Sequence, residues 1–213
     1  FADNTDEEIT TCCPVGEPVR AILDHVENHG VDLIMMPTHG YGPFRSLLLG
    51  SLTAKVLHDV GVPVWTAAHT NDPKLPTHMK CRSIVVAADL NKEAVCVVKR
   101  AMDLAEMFDA KLHLVHAVPA ATPHPESNMD SDYRHFVLEG ARVEVAKLQQ
   151  RAGSDLPVTV EADAVSKLVQ KVATQREADL VVIGRGKMHA TFGRLRTHGY
   201  AIIRDSPCPV LSV

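Results

Sequence analysis

The sequence predicts an α/β protein built on a doubly wound parallel sheet, and three observations carry that expectation. Short apolar runs alternate with amphipathic stretches of helical period along most of the 213 residues, the pattern of strands joined by crossover helices. Two of the apolar runs end in glycine-bearing turns that lead into a helix. The chain also repeats itself: VDLIMMPTHG aligns with ADLVVIGRG at an offset of 147, and VGVPVWTA with SPCPVLSV at an offset of 146. The turn between strand and helix is therefore one residue shorter in the second copy.

Residues 1–8 are acidic and patternless and read as a tail or a cut end, and 9–14 as a short β-like run. Across 17–29, Val19, Ile22, Leu23 and Val26 fall on one helical face, and Gly30 suits the helix stop. Residues 33–36 read as a buried strand, 52–60 as a helix and 63–67 as a strand. The stretch 69–80, HTNDPKLPTHMK, is polar with two prolines and reads as an interdomain linker.

Then the pattern restarts at full length. Strands are expected at 83–88, 112–118, 158–162, 180–183 and 209–213. Between them come helices at 92–108 (with Val95, Val98, Met102 and Ala105 inward), 133–151, 165–176 and 194–205, and a polar loop at 119–132. By the repeat registration Ile9 corresponds to Leu156, so counterparts of residues 81–155 are missing from the first copy. The expected organisation is an incomplete first domain at 1–68, its C-terminal half only, a linker at 69–80 and a complete second domain at 81–213. A chain that opens on Phe1 reads as part of a longer tandem protein, or as a half-domain completed by something else.

Composition excludes several classes. A net charge of −4, no Lys/Arg run and 4% aromatic residues argue against a nucleic-acid partner. No apolar stretch is long enough for a membrane span, and without a signal peptide the expected location is the cytoplasm. Five cysteines without C-x-x-C spacing read as reduced structural thiols rather than a metal or redox centre. The twelve histidines are scattered, and the spacing of His113 and His116 puts them on opposite faces of a strand, so they read as structural or surface residues.

The stretch that could carry chemistry is 32–53, where a strand leads through Gly40 and Gly42 to Gly50-Ser51-Leu52-Thr53 at a helix start. Glycines let a backbone approach an anion closely. The helix start offers unpaired N–H groups and a positive dipole end, and Ser51 and Thr53 add hydroxyls. Gly40, nine intervening residues and Gly50-Ser51 resemble the G-x2-G-x9-G-[ST] nucleotide loop of universal stress proteins. Thr38-His39-Gly40, Leu48-Leu49-Gly50-Ser51 and Gly61-Val62-Pro63-Val64 are similar to that family too. Where the family has its first glycine, this chain has Pro37.

The resemblance implies a Rossmann-like fold related to the adenine nucleotide α-hydrolases, and binding of ATP, with Mg2+, or of another adenine nucleotide. It places Asp89 near the adenosine and Ala117 in the adenine pocket, although Asp89 also suits an N-cap of the following helix. In the second loop, GRGKMHATFGRLRTHG, Gly184 and Gly186 are kept, but Arg196 stands for Gly50, Thr197 for Ser51 and Gly199 for Thr53. An arginine there should block close backbone approach to a triphosphate, yet Lys187, Arg194 and Arg196 add positive charge that leaves room for a smaller anion. GRGK is not a P-loop, because the G-x4-G-K-[ST] spacing is absent.

The first expectation is thus a tandem universal stress protein that binds an adenine nucleotide and acts through conformation or assembly, with at most slow hydrolysis. The second is a member that binds no nucleotide and works through domain pairing. An enzyme of the related α-hydrolase class is a third reading, and no constellation of catalytic residues supports it. The strands at 63–67 and 209–213 each begin with proline, as edge strands tolerate. The family pairs such strands between domains, which implies an intramolecular pseudo-dimer or a homodimer.

Overall fold

The computed structural model describes residues 9–38, 49–67, 81–118, 129–185 and 194–213, with the backbone alone at 129–131 and 194–197. Along the chain come α1 (Pro18–His29), β1 (Ile34–Met36), α2 (Ser51–Asp59) and β2 (Val64–Thr66). There follow β3 (Ser83–Ala87), α3 (Ala94–Phe108), β4 (Lys111–Val118), α4 (Met129–Ala152), β5 (Val158–Ala162), α5 (Val165–Gln175), β6 (Leu180–Ile183), α6 (Arg194–Asp205) and β7 (Val210–Ser212).

The helix ends follow local chemistry. Glu17 caps α1 by accepting the Arg20 N–H at 2.8 Å, Pro18 fits the first turn, and Gly30 closes the helix at φ 62°. β6 (LVVI) and the centre of β3 (IVV) are runs of Val, Ile and Leu, as strands buried on both faces require, whereas β4 carries two histidines and the edge strand β5 a glutamate.

One sheet holds all seven strands, in the order β1-β2-β7-β6-β3-β4-β5. From β3 the chain moves outward to β4 and β5, then returns to β6 and β7 on the other side, every pair parallel. The strand order therefore reverses between β3 and β6. The two copies meet where β2 and β7 pair antiparallel, Val64 opposite Ser212, Trp65 opposite Leu211 and Thr66 opposite Val210. Trp65 and Leu211 are equivalent in the repeat, so the pairing is symmetric about them, as in an isologous contact. Thr66 Oγ1 ties the seam by donating to the Val210 carbonyl at 3.1 Å.

Successive side chains leave the sheet on opposite faces. Ile84, Val86, Leu114, Val182 and Leu211 pack under α3 and α4 against Val98, Ala101, Val145 and Leu148. On the other face Val64, Val85, Val115, Val181 and Val210 meet α2, α5 and α6 through Val56, Leu168, Val169, Val172 and Ile202. The copies share this second layer, where Tyr200 Oη donates to the Ala54 carbonyl at 3.0 Å.

Several expectations need correcting. Residues 9–14 form no strand and lie exposed, because no neighbouring strand pairs with them. The 33–36 strand is not buried: β1 is an edge and Met35 is 66% exposed. The proline-led strands, each the edge of its own copy, pair with one another as expected, which places both inside the seven-stranded sheet. Their prolines cost no ladder bond, since Pro63 and Pro209 precede the strands and only accept, from Ile34 and Val181 N–H groups at 3.0 Å. In α3 the buried face is Ala94, Val97, Val98 and Ala101, while Val95, Met102 and Ala105 are half-buried. α4 starts at Met129, inside the stretch expected to be loop, and 68–80, which holds the expected linker, is outside the described residues.

Buried titratable groups give the fold a pH signature. His113, on β4, shares a 2.8 Å hydrogen bond between Nε2 and Thr159 Oγ1, while its buried Nδ1 has no partner among the described residues. Burial first, and the Arg176 charge second, pull its pKa below the ordinary 6.5. The folded state therefore holds a neutral ring, and the unfolded chain takes up the proton first as pH falls. This contribution to stability is complete above about pH 6.5 and is lost on acidification below it. We expect the melting temperature to fall between pH 7.5 and pH 5.5, and to fall less in His113→Gln, measured by circular dichroism. Equal slopes for the two proteins would contradict the assignment.

Candidate functional site

The site is built at the carboxyl ends of β3, β4 and β6. Doubly wound sheets leave a crevice there because the crossover helices diverge where the strand order reverses. β3 supplies Ala87 and the residues that follow it, Ala88 and Asp89; β4 supplies Val115 and Ala117. From β6 come Ile183 and then Gly184 and Arg185, while Val165 and Val169 of α5 and His198, Gly199 and Ile202 of α6 close the remaining side. The open space, solvent at the mouth included, is about 690 Å3. The part enclosed at the scale of a water molecule is about 60 Å3, so the cleft is shallow, and this smaller figure sets how deep a ligand sinks.

Among its walls Ala87, Ala88, Ala117 and Gly199 are small, and the rest include Val115, Val169, Ile183 and Ile202. A Cβ on Gly184 would stand 2.7 Å from Val97 Cγ2, so α3 presses directly on the β6 turn. Asp89 is exposed at the rim. It does not cap α3, as one reading of the sequence had it. Asn91 does that work, its Oδ1 accepting the N–H groups of Glu93 and Ala94 at 2.9 Å each. The Asp89 carboxylate makes no hydrogen bond or ion pair among the described residues. Beside it, His116 Nδ1 bonds to the Ala88 carbonyl at 2.9 Å, fixing the end of β3.

Arg185, just past Gly184, faces the seam between the copies. Its guanidinium donates to the Val60 carbonyl at the C-terminal end of α2 at 2.7 Å. Burial lowers its pKa from the ordinary arginine value, and the helix end supplies a compensating negative dipole.

In the first copy the helix start is also locked in place. Gly50 N–H donates to the Thr38 carbonyl at 2.8 Å, and Thr53 Oγ1 donates to the Pro37 carbonyl at 3.0 Å. Gly50 has φ −57°, so a side chain there adds no left-handed backbone strain. Ser51 is exposed in the first turn of α2 and Thr53 is buried. Gly40, Gly42 and Gly186 lie outside the described residues, as do the side chains of Arg196 and Thr197.

The structure thus brings Asp89, Ala117 and Gly184 together in one cleft, with Gly50, Ser51 and Thr53 at a separate turn in the first copy. Sequence reading missed Asn91, although an Asn shortly before a helix is a start signal. It also missed Arg185, whose partner is 125 residues away and leaves no local trace.

Among the described residues no group of three His, Cys, Asp or Glu is placed to hold a metal. No helix there is long and apolar enough to cross a membrane. All five cysteines are free, and burial pushes the Cys81 and Cys208 thiols up to about 11, which keeps both protonated and unreactive.

A reversal of strand order with a small-walled cleft above it defines an α/β protein of the Rossmann-like, doubly wound class. Comparison with known families sharpens this. The model of the universal stress protein family matches residues 2–67 and 80–213, and the chain belongs to that family, with two segments in tandem. It is 26% identical over 211 residues to the universal stress protein E homolog of Haemophilus influenzae, an alignment covering 91% of this chain and 65% of that protein. It is 30% identical over 142 residues to the putative universal stress protein SSP1056 of Staphylococcus saprophyticus, covering 62% of this chain and 83% of that one. The solved structure of PA1789 from Pseudomonas aeruginosa, a protein of unknown function, shares the fold at TM-score 0.70 and 19% identity, over 93% of this chain and 68% of that chain. The chain therefore spans just under two thirds of the Haemophilus relative.

Proposed function

We propose that the second copy binds an adenine nucleotide in the cleft above β3, β4 and β6, and that the protein acts as a regulatory binding module in a stress response. One observation supports this reading: Asp89 stands at the switch point with a carboxylate that no described residue engages, while Asn91 caps α3. A carboxylate in that position accepts hydrogen bonds from the exocyclic amine of a base or from ribose hydroxyls. Ala117 and Ala87 leave a flat ring room to lie against β4 and β3. ATP is the nucleotide the family resemblance implies, with Mg2+ held by the phosphates and water rather than by a cage of side chains.

The shallow cleft favours a second reading, a member that holds no nucleotide and works through the β2–β7 pairing and its Arg185 strut. The two readings separate on purification. Under the first, mass spectrometry of the denatured protein finds ATP, ADP or AMP, and the wild type binds added ATP saturably in calorimetric titration. Asp89→Ala then loses about tenfold in affinity, the worth of a hydrogen bond to a charged group, with unchanged melting. Absence of nucleotide and of heat on titration would leave the second reading standing.

A further inference from the structure

We propose that the ligand of the cleft is an adenine nucleotide carrying an apolar group on its exocyclic amine, and that a groove beside α4 holds that group. This rests on the nucleotide reading of the cleft and names the nucleotide's class. A second opening adjoins the cleft, and Asp89, Ala117, Val165 and His198 line both. From there it runs between the end of β4 and α4, against Leu90, His116, Val118, Val137, Gly140 and Ala141. Its open space, solvent at the mouth included, is about 950 Å3.

The groove follows from how α4 meets the sheet. Ala141, Val145, Leu148 and Ala152 are buried along one side of the helix, in the layer shared with α3. One turn before Ala141, Val137 is only half-buried, so the seal opens toward the start of the helix. Arg134 fixes that start by donating to the Ala162 carbonyl, at the end of β5, at 3.2 Å. Gly140 stands in the groove wall. A Cβ there would meet nothing within 4 Å among the described residues, so no packing inside the chain calls for a glycine. Glycine is disfavoured in a helix interior, and what it leaves here is bare backbone facing the groove.

The walls select the group. Leu90, Val118, Val137 and Ala141 are apolar, and two of the polar residues are engaged. His116 is tied by Nδ1 to the Ala88 carbonyl at 2.9 Å, and Glu144, also in the wall, pairs with Lys147 Nζ at 2.7 Å. Such a surface gains by covering carbon and loses by burying further unpaired polar atoms. Asp89 sets the point of attachment, because it lines both cavities. An adenine amine that donates one N–H to the Asp89 carboxylate has its second position left for the groove. One substituent on that nitrogen keeps the bond to Asp89, whereas two remove the donor.

The test is calorimetric titration of the full chain, stripped of nucleotide, with AMP, N6-benzyl-AMP and N6,N6-dimethyl-AMP. N6-benzyl-AMP is expected to bind the wild type about tenfold more tightly than AMP, the worth of a partly buried phenyl ring. N6,N6-dimethyl-AMP should bind more weakly than AMP. In Gly140→Leu the new side chain occupies the groove, so the gain from the benzyl group should disappear. That variant should melt at or above the wild-type temperature, since it replaces a helical glycine that faces open space. AMP binding with no gain from the benzyl group overturns the proposal and leaves the nucleotide reading standing. A gain that survives in Gly140→Leu, or a dimethyl compound that binds as well as AMP, also overturns it. Failure of all three compounds to bind overturns both.

Discussion

Val64→Asp is expected to cost about 4 kcal/mol or more and to lower the melting temperature by about 10 °C. Val64 is fully buried on β2, paired with Ile34 on one side and Ser212 on the other, and its side chain sits in the layer shared by α2, α5 and α6. A carboxylate there has no cation among its packed neighbours, so it is either desolvated as an ion or forced to take up a proton. Either outcome opens the β2–β7 seam, which the Thr66 hydroxyl and the Trp65–Leu211 pair hold. Separation exposes two unpaired strand edges, which are sites of association. Size exclusion should therefore show a broadened or earlier peak alongside the lower melting point. An unchanged profile with unchanged melting would mean that the seam does not hold the copies together.

Gly184→Ala is expected to destabilise by about 1–3 kcal/mol, the usual cost of overpacking. The added Cβ meets Val97 Cγ2 at 2.7 Å, and Val97 is a buried β-branched residue on a helix, with little rotamer freedom to step aside. The clash is with a side chain and not with backbone, so shortening that side chain should relieve it. Val97→Ala alone leaves a small cavity, and the double variant should be more stable than the sum of the two single costs predicts. A denaturant double-mutant cycle reads this coupling directly. Strict additivity would show that β6 and α3 are not in contact at this turn.

The alternation of strands and helices was legible because each element carries its own period. Residues 158–162, 180–183 and 194–205 were expected where β5, β6 and α6 stand, since uninterrupted β-branched runs and an amphipathic helix are local signals. The repeat offsets reappear in the registers, Ile34 with Val64 and Val181 with Val210. What failed depended on partners far away in sequence. The run at 9–14 has the composition of a strand, but no described strand pairs with it. Burial of 33–36 would need a neighbour like the β3 that covers β6, and among the described residues β1 has only β2. Asp89 and Asn91 are both reasonable caps on paper, and the turn geometry before α3 chooses Asn91. In the cleft, Asp89, Ala117 and Gly184 were legible through the family resemblance, whereas the α5 and α6 walls and Arg185 were not.

The most direct measurement is calorimetric titration of the wild type and of Ala117→Phe with Mg-ATP, on samples stripped of bound nucleotide and shown to be folded. Ala117 is half-buried and lines the cleft beside Asp89, so a phenyl ring there fills the space assigned to the base while most of the ring stays at the surface. Nucleotide binding in this cleft predicts saturable heat in the wild type and its loss in Ala117→Phe, with Gly50→Val in the first copy retaining the second-copy site. Equal binding by wild type and Ala117→Phe would contradict the assignment and move the nucleotide away from β3, β4 and β6.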